Sequence, residues 1–155
     1  DILLFLHADT VLPDDYVASI FDAMSDSRVV GGAFAFSSDV PTRMMRLTER
    51  IVNFRSRHLH LPYGDQAIFV RRDVFCDLGG FPDVAIAEDL LFVRRLRSHG
   101  RITILPTAIT TSGRRWRTRG HVATAITNQL VLAGVLLGVP GDVLAKLYGR
   151  SRKAT

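Results

Sequence analysis

Cysteine is almost missing from this chain. Cys76 stands alone among 155 residues, which excludes an internal disulfide and any metal site built from several thiolates. A lone cysteine of this kind is expected in the apolar interior, and a reducing compartment is compatible with it. Long hydrophobic runs are missing too. The most apolar tract, Leu130 to Val139, is only ten residues long, and Asn128 and Gln129 block its extension upstream, so it is too short to cross a bilayer. Lysine is scarce (Lys146 and Lys153), and the formal charge of +5, from 20 basic against 15 acidic residues, is therefore carried by arginine. Arginine forks suit phosphate and carboxylate, so anionic partners are favoured. There are no internal repeats, no low-complexity linker and no visible signal peptide. There is also no initiator methionine, and the first residues already read as a strand. The chain is thus expected to be the carboxyl part of a larger domain.

What is present is enough apolar residue, 47%, to bury a core, with one domain as the default. Asp1 to Thr10, DILLFLHADT, opens with a run of β-formers that reads as a strand buried on both faces, as in a parallel sheet. Asp9 follows at its carboxyl end, the edge where ligands bind in open α/β sheets, although a turn-forming role is equally open to it. Val17, Ile20, Phe21 and Met24 fall at helical spacing. Arg28 to Phe36 reads as a second strand, in which Gly31-Gly32 mark a bulge or a close approach.

Pro41 suits the first turn of a helix running to about His58, with Met44, Leu47, Ile51 and Phe54 in an apolar stripe and Arg43, Arg46, Arg50 and Arg57 on a solvated face. His58 and His60 alternate, but two histidines without a third aligned ligand are a weak metal signal. Gly64 allows a turn that delivers Asp65 and Gln66 to a strand over Ala67 to Val70. Arg72 to Leu78 reads as one or two helical turns stopped by Gly79-Gly80. A helix from Ala87 to His99 carries Glu88 and Asp89 in its first turn, where its dipole favours acidic residues, and Gly100 stands in the usual C-cap position. Two extended segments, Ile102 to Leu105 and Ala108 to Thr111, flank Pro106. They lead to four arginines around Trp116 between Arg114 and Arg119, a cluster able to grip a diphosphate. Nucleic acid is disfavoured, since no recognition motif and no further basic stripe accompany it. Helices are expected over Val122 to Leu137 and Asp142 to Tyr148, packing on the sheet, a partner or a membrane surface.

The order of these pieces, a strand ending in HAD, then GDQAIFVRRDVFCDLGGFP, then EDLLF, then SGRRWRTRG, resembles the inverting family 2 glycosyltransferases of the GT-A fold, and most of all bacterial members of unknown acceptor. The resemblance spans Asp1 to about Tyr148. It implies an α/β, Rossmann-like mixed sheet with flanking helices and C-terminal helices, lacking the amino-terminal nucleotide-binding βαβ half. The catalytic and acceptor half would cover residues 1–120 and a helical extension residues 121–155.

The resemblance further implies that Asp9 holds a divalent cation, Mg²⁺ or Mn²⁺, on a nucleotide-sugar donor, with His7 in place of the family's first aspartate. It implies that Asp65, Gln66 and the loop Gly79, Gly80, Phe81 border the sugar and the acceptor. Asp89 of the Glu88-Asp89 pair would be the general base, and Arg114, Arg115 and Trp116 would close over the diphosphate. The acceptor would be a saccharide, a lipid-linked group or a small molecule. The expected location is cytoplasmic, with peripheral contact at the inner membrane face. The fragment by itself is expected to bind donor poorly and not to turn over. Two other classes remain open on sequence: a Mg²⁺-dependent phosphohydrolase with Asp9 as nucleophile, and a non-catalytic module for anionic lipid or polymer.

Overall fold

The run VVGGAFAFSS forms the central strand, β3 (Val29–Ser38), in the computed structural model, which describes residues 1–114, 120–139 and 141–147. Its small residues lie where neighbours press closest. A methyl group on Gly32 would stand 2.3 Å from Thr103 O and 2.5 Å from Phe69 Cζ, so β4 (Ile68–Arg71) and β5 (Arg101–Thr111) close on β3 only because nothing projects there. A register shift between Val29 and Gly31 adds the irregularity that the glycine pair suggested. β1 (Ile2–Phe5) lies outside β4, and β2 (Thr10–Val11) outside β5, giving the order β1-β4-β3-β5-β2. Only the β3 to β5 pairing is parallel. Hence β1, β3 and β5 point the same way, and their carboxyl ends share one sheet edge with the start of β4.

Residues alternate across the sheet into two cores. On one face α1 (Tyr16–Met24) brings Ile20 and Met24 against Phe34, Phe36, Phe69 and Ile109. On the other, Ile68 and Val70 meet Phe92 and Val93, which come from α4 (Glu88–Leu96). Val131 and Val135 of α5 (His121–Leu136) and Leu144 of α6 (Gly141–Leu147) join that same core. Arg94 ties α4 to α5 by donating from Nη1 to Val135 O at 2.8 Å. Phe34, Phe69 and Phe92 are fully buried, each contributing roughly 1.5–3 kcal/mol by leaving water. Among the described residues no helix is long and apolar enough to cross a membrane.

Four expectations are corrected. β1 is a half-buried edge strand, antiparallel to β4, because its other edge has no partner; beside it runs a groove of about 940 Å³ lined by β1, α1, Arg71 and Arg72. Cys76, on the short helix α3 (Arg72–Asp77), is exposed rather than buried, since Val74, Phe75 and Leu78 take the inward positions. The two segments around Pro106 are one strand, with the proline accommodated where the register skips from Leu105 to Ala108. Gly100 does not cap α4, which ends at Arg97 in helical conformation. Glycine is needed there because a methyl group would stand 2.4 Å from Val30 Cγ1.

The helix α2 (Arg43–Leu59) is where a simple amphipathic reading fails. The stripe of Met44, Leu47, Ile51 and Phe54 faces outward, while Met45, Glu49 and Ser56 are buried. The cause is the free edge of β3. Beyond Gly32 that strand pairs with no residue of β4 among the described residues, and its backbone groups at residues 34, 36 and 38 need partners. Asn53 supplies both for Phe36, accepting from its N–H at 2.7 Å and donating to its carbonyl at 2.9 Å. Glu49 accepts from Ser38 N at 2.9 Å. Gln66 donates to Phe34 O at 2.9 Å. Polar side chains thus complete the sheet where a strand is missing, which forces the polar face of α2 inward.

Candidate functional site

The site grows from the turn that follows α2. Arg55 is buried under that turn, donating from Nε to Leu61 O at 3.1 Å, and its guanidinium carbon lies 3.6 Å from the Tyr63 ring centroid. Burial pulls the Arg55 pKa below the usual guanidinium value, and nearby Tyr63, Asp65 and Asp89 oppose the shift. It stays charged, and sets a fixed positive centre beneath two carboxylates. Its Nη2 is buried and has no hydrogen-bond partner among the described residues. The chain then tightens into a single 3₁₀ turn, Gly64–Gln66. The Gln66 amide fastens that turn: Oε1 accepts from Ser56 Oγ at 2.7 Å and from Tyr63 N at 3.3 Å, besides the bond from Nε2 to Phe34.

Gly64 is the point where three separated segments meet. Its N–H donates to Asp89 Oδ2 at 2.5 Å. A methyl group on Gly64 would stand 2.9 Å from His7 Nε2 and 3.1 Å from Asp89 Oδ2. The end of β1, the turn before β4 and the first turn of α4 are therefore in contact. Asp89 is aimed by a second bond, from Leu90 N to Oδ1 at 2.7 Å. It is half-buried, whereas Glu88 beside it is exposed. Backbone strain brackets the arrangement: His60, Ala67 and Ala87, none of them glycine, have φ of 52°, 53° and 61°. Left-handed conformations of this kind cost roughly 1–2 kcal/mol each and tend to occur at functional sites.

Asp9 lies on the same edge. Thr10 N donates to His7 O at 3.1 Å, so His7 and Asp9 share one turn. Ser112 N donates to Asp9 O at 3.0 Å, and the Thr10 and Thr111 hydroxyls are 3.0 Å apart, which fixes Asp9 two residues from Arg114 across the sheet. Asp39, at the end of β3, closes this side by accepting from Gly113 N at 2.7 Å. Asp9 and Arg114 are both exposed. Among the described residues no three His, Cys, Asp or Glu side chains come together as a ligand set.

Of the residues singled out from sequence, Asp9, Asp65, Asp89 and Arg114 are carried by elements that end at this edge. Phe81 follows Gly79 and Gly80, both at φ 72°, and packs against the core, its ring centroid 4.8 Å from those of Phe5 and Phe92. Gln66 is corrected: it is fully buried with its amide engaged, and holds the turn rather than a ligand. Glu88 shares the first turn of α4 with Asp89 but takes no part in the contact with Gly64. Arg115 and Trp116 lie outside the described residues. Sequence reasoning missed Arg55 and Tyr63, whose only signal was an arginine at the end of a helix running into a Pro-Tyr-Gly turn. It also left His7, which reaches Gly64, without a role.

Comparison with known proteins finds no match to a family model, to a curated protein or to a solved structure.

Proposed function

We propose that this chain is the acceptor side of an inverting glycosyltransferase of the GT-A type, working on a nucleotide-diphosphate sugar. The observation that carries the reading is the meeting of His7, the Gly64 N–H and Asp89 on the sheet edge that also bears Asp9 and Arg114. Inverting transfer needs one carboxylate, rigidly aimed, to take the proton of the acceptor hydroxyl. Asp89 is held at both oxygens by backbone N–H groups and retains lone pairs to accept that proton. The acceptor oxygen then bonds to the anomeric carbon as the bond from that carbon to the diphosphate breaks on the opposite face. Negative charge gathers on the departing diphosphate, and the Arg114 guanidinium would meet it. A Mg²⁺ or Mn²⁺ ion held by Asp9 would neutralise part of the same charge. Arg55, below the turn, keeps Asp65 and Asp89 in a fixed field.

The test is sugar transfer by protein purified from its native source, with a panel of nucleotide sugars and either cation. Asp89→Asn is expected to lower turnover by about 10²–10⁴-fold while donor binding is retained. Asp9→Ala should weaken cation-dependent donor binding instead. Full turnover in Asp89→Asn would refute the assignment of the base. Release of phosphate from simple phosphoesters, dependent on Asp9, would replace the reading with hydrolysis.

A further inference from the structure

The outward face of α2 has no role in the site, and its composition is unusual for an exposed surface. Met44, Leu47, Ile51 and Phe54 recur at spacings of three and four, so they form one stripe, and each is between 49% and 63% exposed. Arg43, Arg50 and Arg57 recur every seven residues along one flank of that stripe, all exposed. Among the described residues none of the three forms an ion pair with a carboxylate. The one acidic residue of α2, Glu49, is turned inward and paired with Arg46. The pattern runs from Arg43 to Arg57, about 21 Å of helix at 1.5 Å per residue. The helix is polar on balance yet strongly one-sided.

We propose that this face of α2 is a docking surface for an anionic phospholipid membrane, with the helix lying in the plane of the interface. The apolar stripe enters the boundary between headgroups and acyl chains, and the arginine row stays at the level of the phosphates. Arginine stems reach over apolar surface while their heads remain in the polar layer. A lipid surface fits better than a protein groove because the charges form a line along the whole helix instead of a cluster for one acidic partner. The inward turn of the polar residues explains how the stripe comes to be outside: Asn53 and Glu49 are committed to β3. Since α2 runs directly into the turn at Gly64, a protein seated this way carries the candidate site beside the lipid. The docking itself does not depend on the catalytic reading.

Co-sedimentation with phosphatidylcholine vesicles, with and without phosphatidylglycerol, tests the proposal. The protein is expected to pellet with the anionic vesicles, weakly with the neutral ones, and less as salt is raised. Leu47→Ser with Phe54→Ser should abolish pelleting. Arg43→Gln, Arg50→Gln and Arg57→Gln together should weaken it on the order of a hundredfold. All five positions are exposed, and unchanged thermal melting would show that the variants fold. Failure to pellet with anionic vesicles overturns the proposal. So does pelleting that survives either set of changes, which would place the contact elsewhere. A dimer in light scattering that Leu47→Ser with Phe54→Ser dissolves would assign the stripe to a second copy of the chain instead.

Discussion

Replacing Gly64 with alanine probes the site at its narrowest point. The glycine is outside the left-handed region, so alanine costs nothing in backbone conformation, and the whole effect comes from crowding. The added methyl group would stand 2.9 Å from His7 Nε2 and 3.1 Å from Asp89 Oδ2. His7 is exposed and can swing away, whereas Asp89 is tied to Gly64 N and Leu90 N. Weakening a hydrogen bond to a charged group costs about 1.5–3 kcal/mol. Overpacking typically costs about 1–3 kcal/mol, and the mobility of His7 places this case at the low end. A net loss of about 2 kcal/mol follows, seen in urea or thermal melts as a Tm lower by roughly 4–8 °C for a chain of this size. Adding His7→Ala should recover about 1 kcal/mol, a coupling that a double-mutant cycle measures directly. Gly64→Ala with a loss below about 0.5 kcal/mol, or His7→Ala without any coupling to it, would refute the packing described for these three segments.

Asn53→Leu should destabilise the chain by about 2–4 kcal/mol in denaturant melts, because the Phe36 N–H and carbonyl both lose their partner at the free edge of β3; a neutral effect would mean that water replaces the amide. The Asp26 carboxyl, held down mainly by its hydrogen bonds from Arg28, should titrate at about 2 in carboxyl NMR, below its ordinary 3.8. Its contribution to stability is present above that ordinary value and is lost as pH falls toward 2, so Arg28→Gln should return the carboxyl midpoint toward 3.8 and lower stability slightly at neutral pH, with the difference from the parent chain vanishing near pH 2.

Where HAD, GDQ and ED fall along the elements was legible in the sequence, and the strand order was not. HAD, GDQ and ED each fell at the end or start of a regular element, because short acidic motifs next to buried runs mark sheet edges whatever the strand order. The partner of each strand was not legible. Ile2 to Leu6 is as apolar as an interior strand, and only the pairing shows it at the edge. α2 misled for a sharper reason. Hydrophobic periodicity assumes that the apolar stripe faces the core, but here Glu49, Asn53 and Gln66 are consumed by an unpaired strand edge that no local pattern announces. The Gly-Asp-Gln motif points Gln66 at a ligand, whereas its buried amide fastens the turn. Arg55 could not be singled out among so many arginines; its burial and its place under Tyr63 distinguish it only in three dimensions.

If the proposed function holds, Asp9, Gly64, Asp89 and Arg114 surround one diphosphate sugar. Paramagnetic broadening of backbone amide NMR signals by Mn²⁺ in the presence of UDP, GDP or dTDP reads this directly. The account predicts that the amides of His7 to Thr10, Gly64 to Gln66, Glu88 to Leu90 and Arg114 broaden together, with at least one of the nucleotides, and that Asp9→Ala removes the effect. Broadening confined to one of these segments, or centred on the groove between β1 and α1, would contradict it.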